Sequence, residues 1–236
     1  MSQPNATLTP APESPARSKM DTKTVVSLAM LTGIAFVVML ASKLMPGVMF
    51  LDFDFKDVVI CIGGFTYGPV AAALISIAVA FIEMITVSHT GFWGFLMNVL
   101  ATGAFCCTAS AIYQKLHTKK GAVIGLFSGM AALVVIMLLW NWLITPIYMG
   151  LPRAEVVAML PTLFLPFNLA KGGMNMAATL LLYKPVVTAL RKSGLVSASA
   201  NAQQSEGKTL NAGFLLFSLF LLATFVVMAL VLAGVI

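Results

Sequence analysis

The chain is 236 residues long, 60% hydrophobic and 9% charged, with a mean hydropathy of +0.98 and a formal net charge of +6. A soluble fold of this size needs far more charged surface, and several apolar runs reach the ~20 residues that cross a bilayer, so the composition excludes a soluble domain and reads as an all-α, polytopic membrane helix bundle. Nor does the positive charge mark nucleic acid. With the N-terminus in the cytoplasm, Arg17, Lys19, Lys23, Lys115, Lys119, Lys120, Lys184, Arg191, Lys192 and Lys208 fall inside and only Lys43, Lys56 and Arg153 outside, the positive-inside pattern of a multi-pass cell-membrane protein.

Residues 1–22 are rich in Pro, Ser and Ala, lack periodicity and are expected to form a disordered cytoplasmic tail, too polar for a signal peptide. A first span is predicted from about Thr24 to Leu44. Its Ala29 and Gly33 form a small-xxx-small pair that serves either packing inside the protein or docking of a partner subunit. From Pro46 to Asp57 the chain reads PGVMFLDFDFKD, with Met49, Leu51, Phe53 and Phe55 alternating against Phe50, Asp52, Asp54 and Lys56. Period two predicts an extended segment. Extended backbone cannot face hydrocarbon, so it is read as an outer lid, the alternative being a solvated external loop.

A short second span, Val58 to Tyr67, is closed by the turn signal Gly68-Pro69. The third, Val70 to Val87, carries Glu83, an acid expected to face the bundle interior and to pair there with Lys171 or serve a site. In the fourth, Phe92 to about Gln114, one face presents Phe95, Asn98 and Thr102; Asn98 either bonds a ligand or joins two helices. The fifth runs from Ala122 to about Tyr148 and spaces Asn141, Thr145 and Tyr148 at i, i+4, i+7. Trp140, Trp142 and Tyr148 also fit an interfacial aromatic belt, and Pro146 frees a backbone carbonyl that lipid does not tolerate unmet.

The sixth span, Leu160 to Tyr183, is the most informative. Asn168, Lys171 and Asn175 follow i, i+3, i+7, the spacing of one helical stripe. An ammonium at bilayer depth costs roughly 2.5–3.5 kcal/mol on insertion scales, so this stripe points inward and marks a polar site. Pro161 and Pro166 are expected to bend its outer half. After Lys184-Pro185 the chain returns to the cytoplasm, residues 193–208 read as a flexible linker, and residues 209–236 read as an additional transmembrane helix. That last span, Leu210 to Ile236, has no ionisable side chain and reads as lipid-facing, with an extracellular C-terminus.

The sequence has no G-x-x-x-x-G-K-[ST] phosphate loop, so energy must come from a partner or a gradient. His89 and His117 are far apart, and Cys61, Cys106 and Cys107 lack ligand spacing, so no metal or cofactor site is predicted. No nucleophile with a positioned base is evident, which makes an enzyme the weaker class. Asn98, Asn141, Asn168 and Lys171, set among aromatic and sulfur side chains, suit a planar heterocycle with imide-like edges.

The Gly68-Pro69 turn after an acidic lid, N-W-L-I-T-P-I-Y at Asn141 to Tyr148, and P-F-N-L-A-K at Pro166 to Lys171 resemble the substrate-binding S component of energy-coupling factor (ECF) vitamin transporters, most closely the riboflavin-specific branch. The resemblance spans about Lys23 to Lys192. It implies a six-helix substrate-binding domain over residues 23–192, with riboflavin held near the outer face by Asn141, Asn168 and Lys171 and with Phe53 and Asp54 closing over it. Asn98 and Tyr148 complete the expected substrate-binding set. The resemblance further implies a membrane-embedded scaffold subunit, docked through Ala29 and Gly33, and two cytoplasmic ATPases. The seventh span and Glu83 depart from the pattern. They keep open an S component for another small vitamin, or a stand-alone secondary transporter using Glu83 and Lys171 as an ion-coupled pair.

Overall fold

The computed structural model describes residues 21–192 and 212–235. The expected N-terminal tail, apart from its last two residues, and the expected linker lie outside the described residues. Nine α-helices are found among those described: α1 (Thr22–Ser42), α2 (Lys56–Tyr67), α3 (Pro69–Thr86), α4 (Gly91–Leu116), α5 (Lys119–Leu143), α6 (Thr145–Met149), α7 (Arg153–Met159), α8 (Leu165–Lys192) and α9 (Ala212–Leu232). A π-helical turn, Leu160–Phe164, joins α7 to α8. Among the described residues six stretches are long and apolar enough to cross a membrane: α1, α3, α4, α5, the continuous Arg153–Leu190 and α9.

The 12-residue α2 is not among them. At 1.5 Å per residue it covers roughly 18 Å, well short of a ~30 Å hydrocarbon layer. It is instead the centre of the bundle, packed against α1, α3, α4 and α8, with Ile60, Cys61, Ile62, Gly63 and Gly64 all buried. Glycine makes that position possible. A methyl group at Gly64 would overlap Ser110 of α4 and the Cβ of Ala72 in α3. The turn into α3 needs Gly68, whose φ of 103° is open to glycine at little cost, and Pro69 then opens the new helix at its first position.

Prolines set the other breaks. Pro146 has no N–H to give to the carbonyl of Trp142, and α5 accordingly stops at Leu143 and restarts as α6 rather than running on to Tyr148. Pro161 lies within the π-helical turn and Pro166 just after it, and their missing donors loosen the ladder and re-aim the start of α8. By contrast Pro185 lies inside α8, which continues to Lys192 instead of ending at Tyr183. Helix α9 packs against α8.

The segment between α1 and α2 differs from a regular extended lid. Val48 and Leu51 exchange backbone hydrogen bonds of 2.8 and 2.9 Å around a turn in which Met49 has φ 54°. Beyond the turn Phe53 and Asp54 are both buried, as is Lys56, so strict alternation fails. The cause is α2 starting at Lys56, two residues before the expected Val58, which draws the end of the lid into the bundle.

Candidate functional site

A cavity of about 370 Å³ opens at the lid end of the bundle, within the roughly 300–1,000 Å³ usual for small-molecule sites. Its wall takes Met39 from α1, the lid residues Phe50 to Asp54, Glu83 from α3, Met97, Asn98 and Ala101 from α4, Leu133, Met137 and Asn141 from α5, and Phe167, Asn168 and Lys171 from α8. Lys43, Ser88, His89 and Thr90 also border it. Of the residues singled out in the sequence, Asn141, Asn168, Lys171, Phe53, Asp54 and Asn98 are thus brought to one cavity. Tyr148 does not border it, because α6 does not continue the α5 stripe.

The floor is built around Asp54. Lys171 Nζ donates to its Oδ2 at 2.7 Å, and Asn175 Nδ2 donates to its backbone carbonyl at 2.9 Å, so one stripe of α8 grips both ends of a lid residue. Burial by itself pushes the Asp54 carboxyl up, but the Lys171 ammonium and then Lys56 outweigh it and hold it below the usual carboxylate range. The lid's ring is held too: Phe53 packs on Phe167 with centroids 4.7 Å apart. Asp54 Oδ1 is buried and accepts no hydrogen bond among the described residues, an acceptor suited to an N–H or O–H donor.

Two asparagines are fixed by their own helices. Asn168 Nδ2 donates to the carbonyl of Phe164 at 2.7 Å, inside the π-helical turn, and Asn141 Nδ2 donates to that of Met137 at 2.7 Å. Thr145 Oγ1 donates to Asn141 Oδ1 at 2.9 Å. Back-bonding of this kind locks the amides' orientation and leaves the Asn168 oxygen available as an acceptor.

Glu83 does not pair with Lys171. Lys56 Nζ donates to Glu83 Oε2 at 2.8 Å and to Asn98 Oδ1 at 3.3 Å, while Asn98 Nδ2 donates to the same Glu83 oxygen at 3.1 Å. Lys56 also stands 3.6 Å from Asp54 Oδ2, between the two acids. Asn98 therefore joins helices and borders the cavity at once. Next to this cluster Thr102 Oγ1 donates to Asp57 Oδ1 at 2.7 Å. Lys56 and Asp57 are the residues that sequence reasoning missed. A lysine in an acidic, alternating stretch looks solvated, and the only signal against that was the apolar run beginning one residue after Asp57.

On α1, Ala29 and Gly33 face outward, and nothing lies within 4 Å of where a Gly33 side chain would start. Cys61 and Cys106 meet in the core with their sulfurs 3.2 Å apart, as free thiols packing α2 on α4.

A mostly apolar cavity in a helical membrane bundle, closed by a loop and carrying a few fixed polar groups, defines a membrane-embedded binding protein for a small molecule. The chain belongs to the family described as ECF transporter, substrate-specific component, whose model matches residues 23–183. It is 31% identical over 163 residues to a protein named riboflavin transporter FmnP from Bacillus subtilis (strain 168), covering 65% of this chain and 86% of that protein. It is 27% identical over 177 residues to one named riboflavin transporter RibU from Staphylococcus aureus (strain TCH60), covering 72% and 93%. Among solved structures it is similar to a chain from "Structure and mechanism of the S component of a bacterial ECF transporter", with a TM-score of 0.61, 27% identity and coverage of 72% of this chain and 98% of that one.

Proposed function

We propose that this protein is the riboflavin-binding subunit of an ECF transporter and that the lid-end cavity is its ligand site. The observation that carries the assignment of the site is the double hold of α8 on the lid, Lys171 on the Asp54 carboxylate and Asn175 on its carbonyl. It puts a charged latch on the wall of the cavity that Asn141 and Asn168 also face. The relatives named as riboflavin transporters support the ligand. Asn141 and Asn168 present fixed amides to the imide-like edge of the flavin, Lys171 donates to a ring oxygen, and Phe53 and Phe167 cover the ring. Asp54 Oδ1 accepts from a ligand N–H or O–H.

Uptake in this reading starts with capture from outside, the N-terminus being cytoplasmic and the C-terminus extracellular. A membrane scaffold subunit docks on the α1 face at Ala29 and Gly33, and two cytoplasmic ATPases drive release inside. The test is direct. Detergent-purified protein is scanned for a flavin spectrum and titrated with riboflavin, following the fluorescence of Trp93, Trp140 and Trp142. Stoichiometric quenching is the expected result; absence of both flavin and quenching overturns the ligand assignment. Riboflavin uptake in cells then requires the scaffold and ATPases, and uptake without them overturns the partner assignment.

A further inference from the structure

Helix α9 lies beyond residues 23–183, the part of the chain that the family model matches. The solved S component is covered over 98% of its length by 72% of this chain, so part of this chain has no counterpart there. Here, however, α9 does not simply lean on the bundle. A methyl group at Gly173 of α8 would overlap the ring of Phe225, which therefore sits directly on the glycine. Gly173 lies midway in sequence between Lys171 and Asn175, the two residues that grip Asp54, and so on the opposite side of the helix from them. Four residues further along α9, Ala229 is buried in one apolar cluster with Val48 and Phe53 of the lid and with Phe167, Ala170 and Met174 of α8. Val226, Met228 and Leu232 pack against the same cluster.

We propose that α9 is part of the ligand-holding machinery, with Phe225 and Ala229 as positioning residues that set how long riboflavin stays bound. The proposal rests on the site reading above. To open, the lid must draw Phe53 out of the cluster and free Asp54 from α8. Phe225 braces α8 from the side opposite the latch, holding Lys171 and Asn175 toward Asp54, and Ala229 closes the cluster that seats the ring. Loosening either raises the population of the open lid, so it speeds release; it does not change the cavity wall that first meets the ligand.

Radiolabelled riboflavin is bound to the full chain and chased with unlabelled riboflavin. Phe225→Ala is expected to raise the dissociation rate about tenfold with the association rate within about twofold, a loss realised in release rather than capture. Phe214→Ala, the matched change at the far end of α9, is expected to leave both rates unchanged. Gly173→Ala is expected to speed release as Phe225→Ala does, and adding Phe225→Leu to it to restore a slow rate, which a general loss of stability would not do. Ala229→Leu supplies a second variant should Phe225→Ala insert poorly, with the same faster release expected. Equal effects of Phe214→Ala and Phe225→Ala, or no change in release with Phe225→Ala and Ala229→Leu, overturn the role of α9. If Lys171→Ala also keeps tight binding, it is the site reading that has failed; if Lys171→Ala loses ligand while α9 variants release normally, only the α9 proposal has.

Discussion

The two ends of the bundle are built on opposite rules. At the lid end, charges and amides surround a cavity of about 370 Å³, and the chain across its mouth is held by a few polar contacts. At the other end the helices close on one another. Gly64 admits Ser110, Gly125 sits against the backbone of Ala109, and Phe65, Tyr113 and Tyr183 fill the interior, with Phe65 and Tyr113 stacked at 4.3 Å. The difference teaches how transport must work. Moving the lid opens one end only, and passage through the other would require taking apart a core packed at glycine contacts. In the reading proposed above, release on that side is reached by moving the binding protein as a body, the work assigned there to a partner.

Breaking the closed end gives the largest expected effect. Gly64→Val forces side-chain atoms into Ser110 and Ala72, and overpacking of this kind costs about 3 kcal/mol at the upper end of its usual range. For a protein of this size that lowers the melting temperature by roughly 6–12 °C, read by a thermal aggregation assay in detergent. Riboflavin affinity of the surviving folded fraction is expected to stay within about threefold of the parent, since the cavity is not touched. A selective loss of affinity without a loss of stability would join the two ends and defeat the comparison.

Breaking the lid end is expected to do the reverse. Lys171→Ala releases the Asp54 carboxylate, which Lys56 still faces at 3.6 Å, and removes a charged donor from the cavity; a hydrogen bond from a charged group is worth about 1.5–3 kcal/mol, and affinity is expected to fall about 100-fold. Next come the amides. Asn168→Ala and Asn141→Ala each remove a neutral hydrogen-bonding group worth about 1 kcal/mol, so a five- to tenfold weakening is expected from each by fluorescence titration. In all three the size-exclusion profile in detergent should match the parent, which separates a lost contact from a lost fold.

How much of this could be read in advance follows the same division. The stripe Asn168, Lys171, Asn175 is visible because all three lie on one helix, where spacing is geometry, and the same holds for Asn141. The Gly68-Pro69 turn is legible because only glycine takes its backbone angle cheaply. The partners of those residues are not legible. Lys171 meets Asp54, 117 positions earlier in the chain, and nothing local distinguishes that acid from Glu83. Glu83 in turn is taken by Lys56 because α2 begins two residues sooner than the apolar run suggests and buries a lysine that alternation had placed in solvent. Tyr148 fails for a related reason: the stripe assumed a helix that Pro146 interrupts. The α9 span reads as lipid-facing from its composition, and most of it is exposed, yet the Phe225 contact depends on a glycine in α8 that no feature of α9 foretells.

The smallest expected effect on binding is the most informative about the partner. Ala29 and Gly33 lie one turn apart on the outward face of α1, beside the exposed Val25, Val26, Met30, Ile34 and Val37. A side chain starting at Gly33 has no atom of this protein within 4 Å of its Cβ, so Gly33→Leu is expected to change neither stability nor riboflavin affinity. If that face only touched lipid, uptake would be equally unaffected, because lipid chains adapt to a leucine as readily as to a glycine. If a scaffold helix packs there, the added side chain holds the two backbones apart, and small-residue contacts of this type lose their close approach. Gly33→Leu, alone and with Ala29→Leu, is thus expected to bind riboflavin normally in detergent while abolishing riboflavin uptake in cells that supply the scaffold and ATPases. Normal uptake by the double variant would move the docking surface off this face of α1.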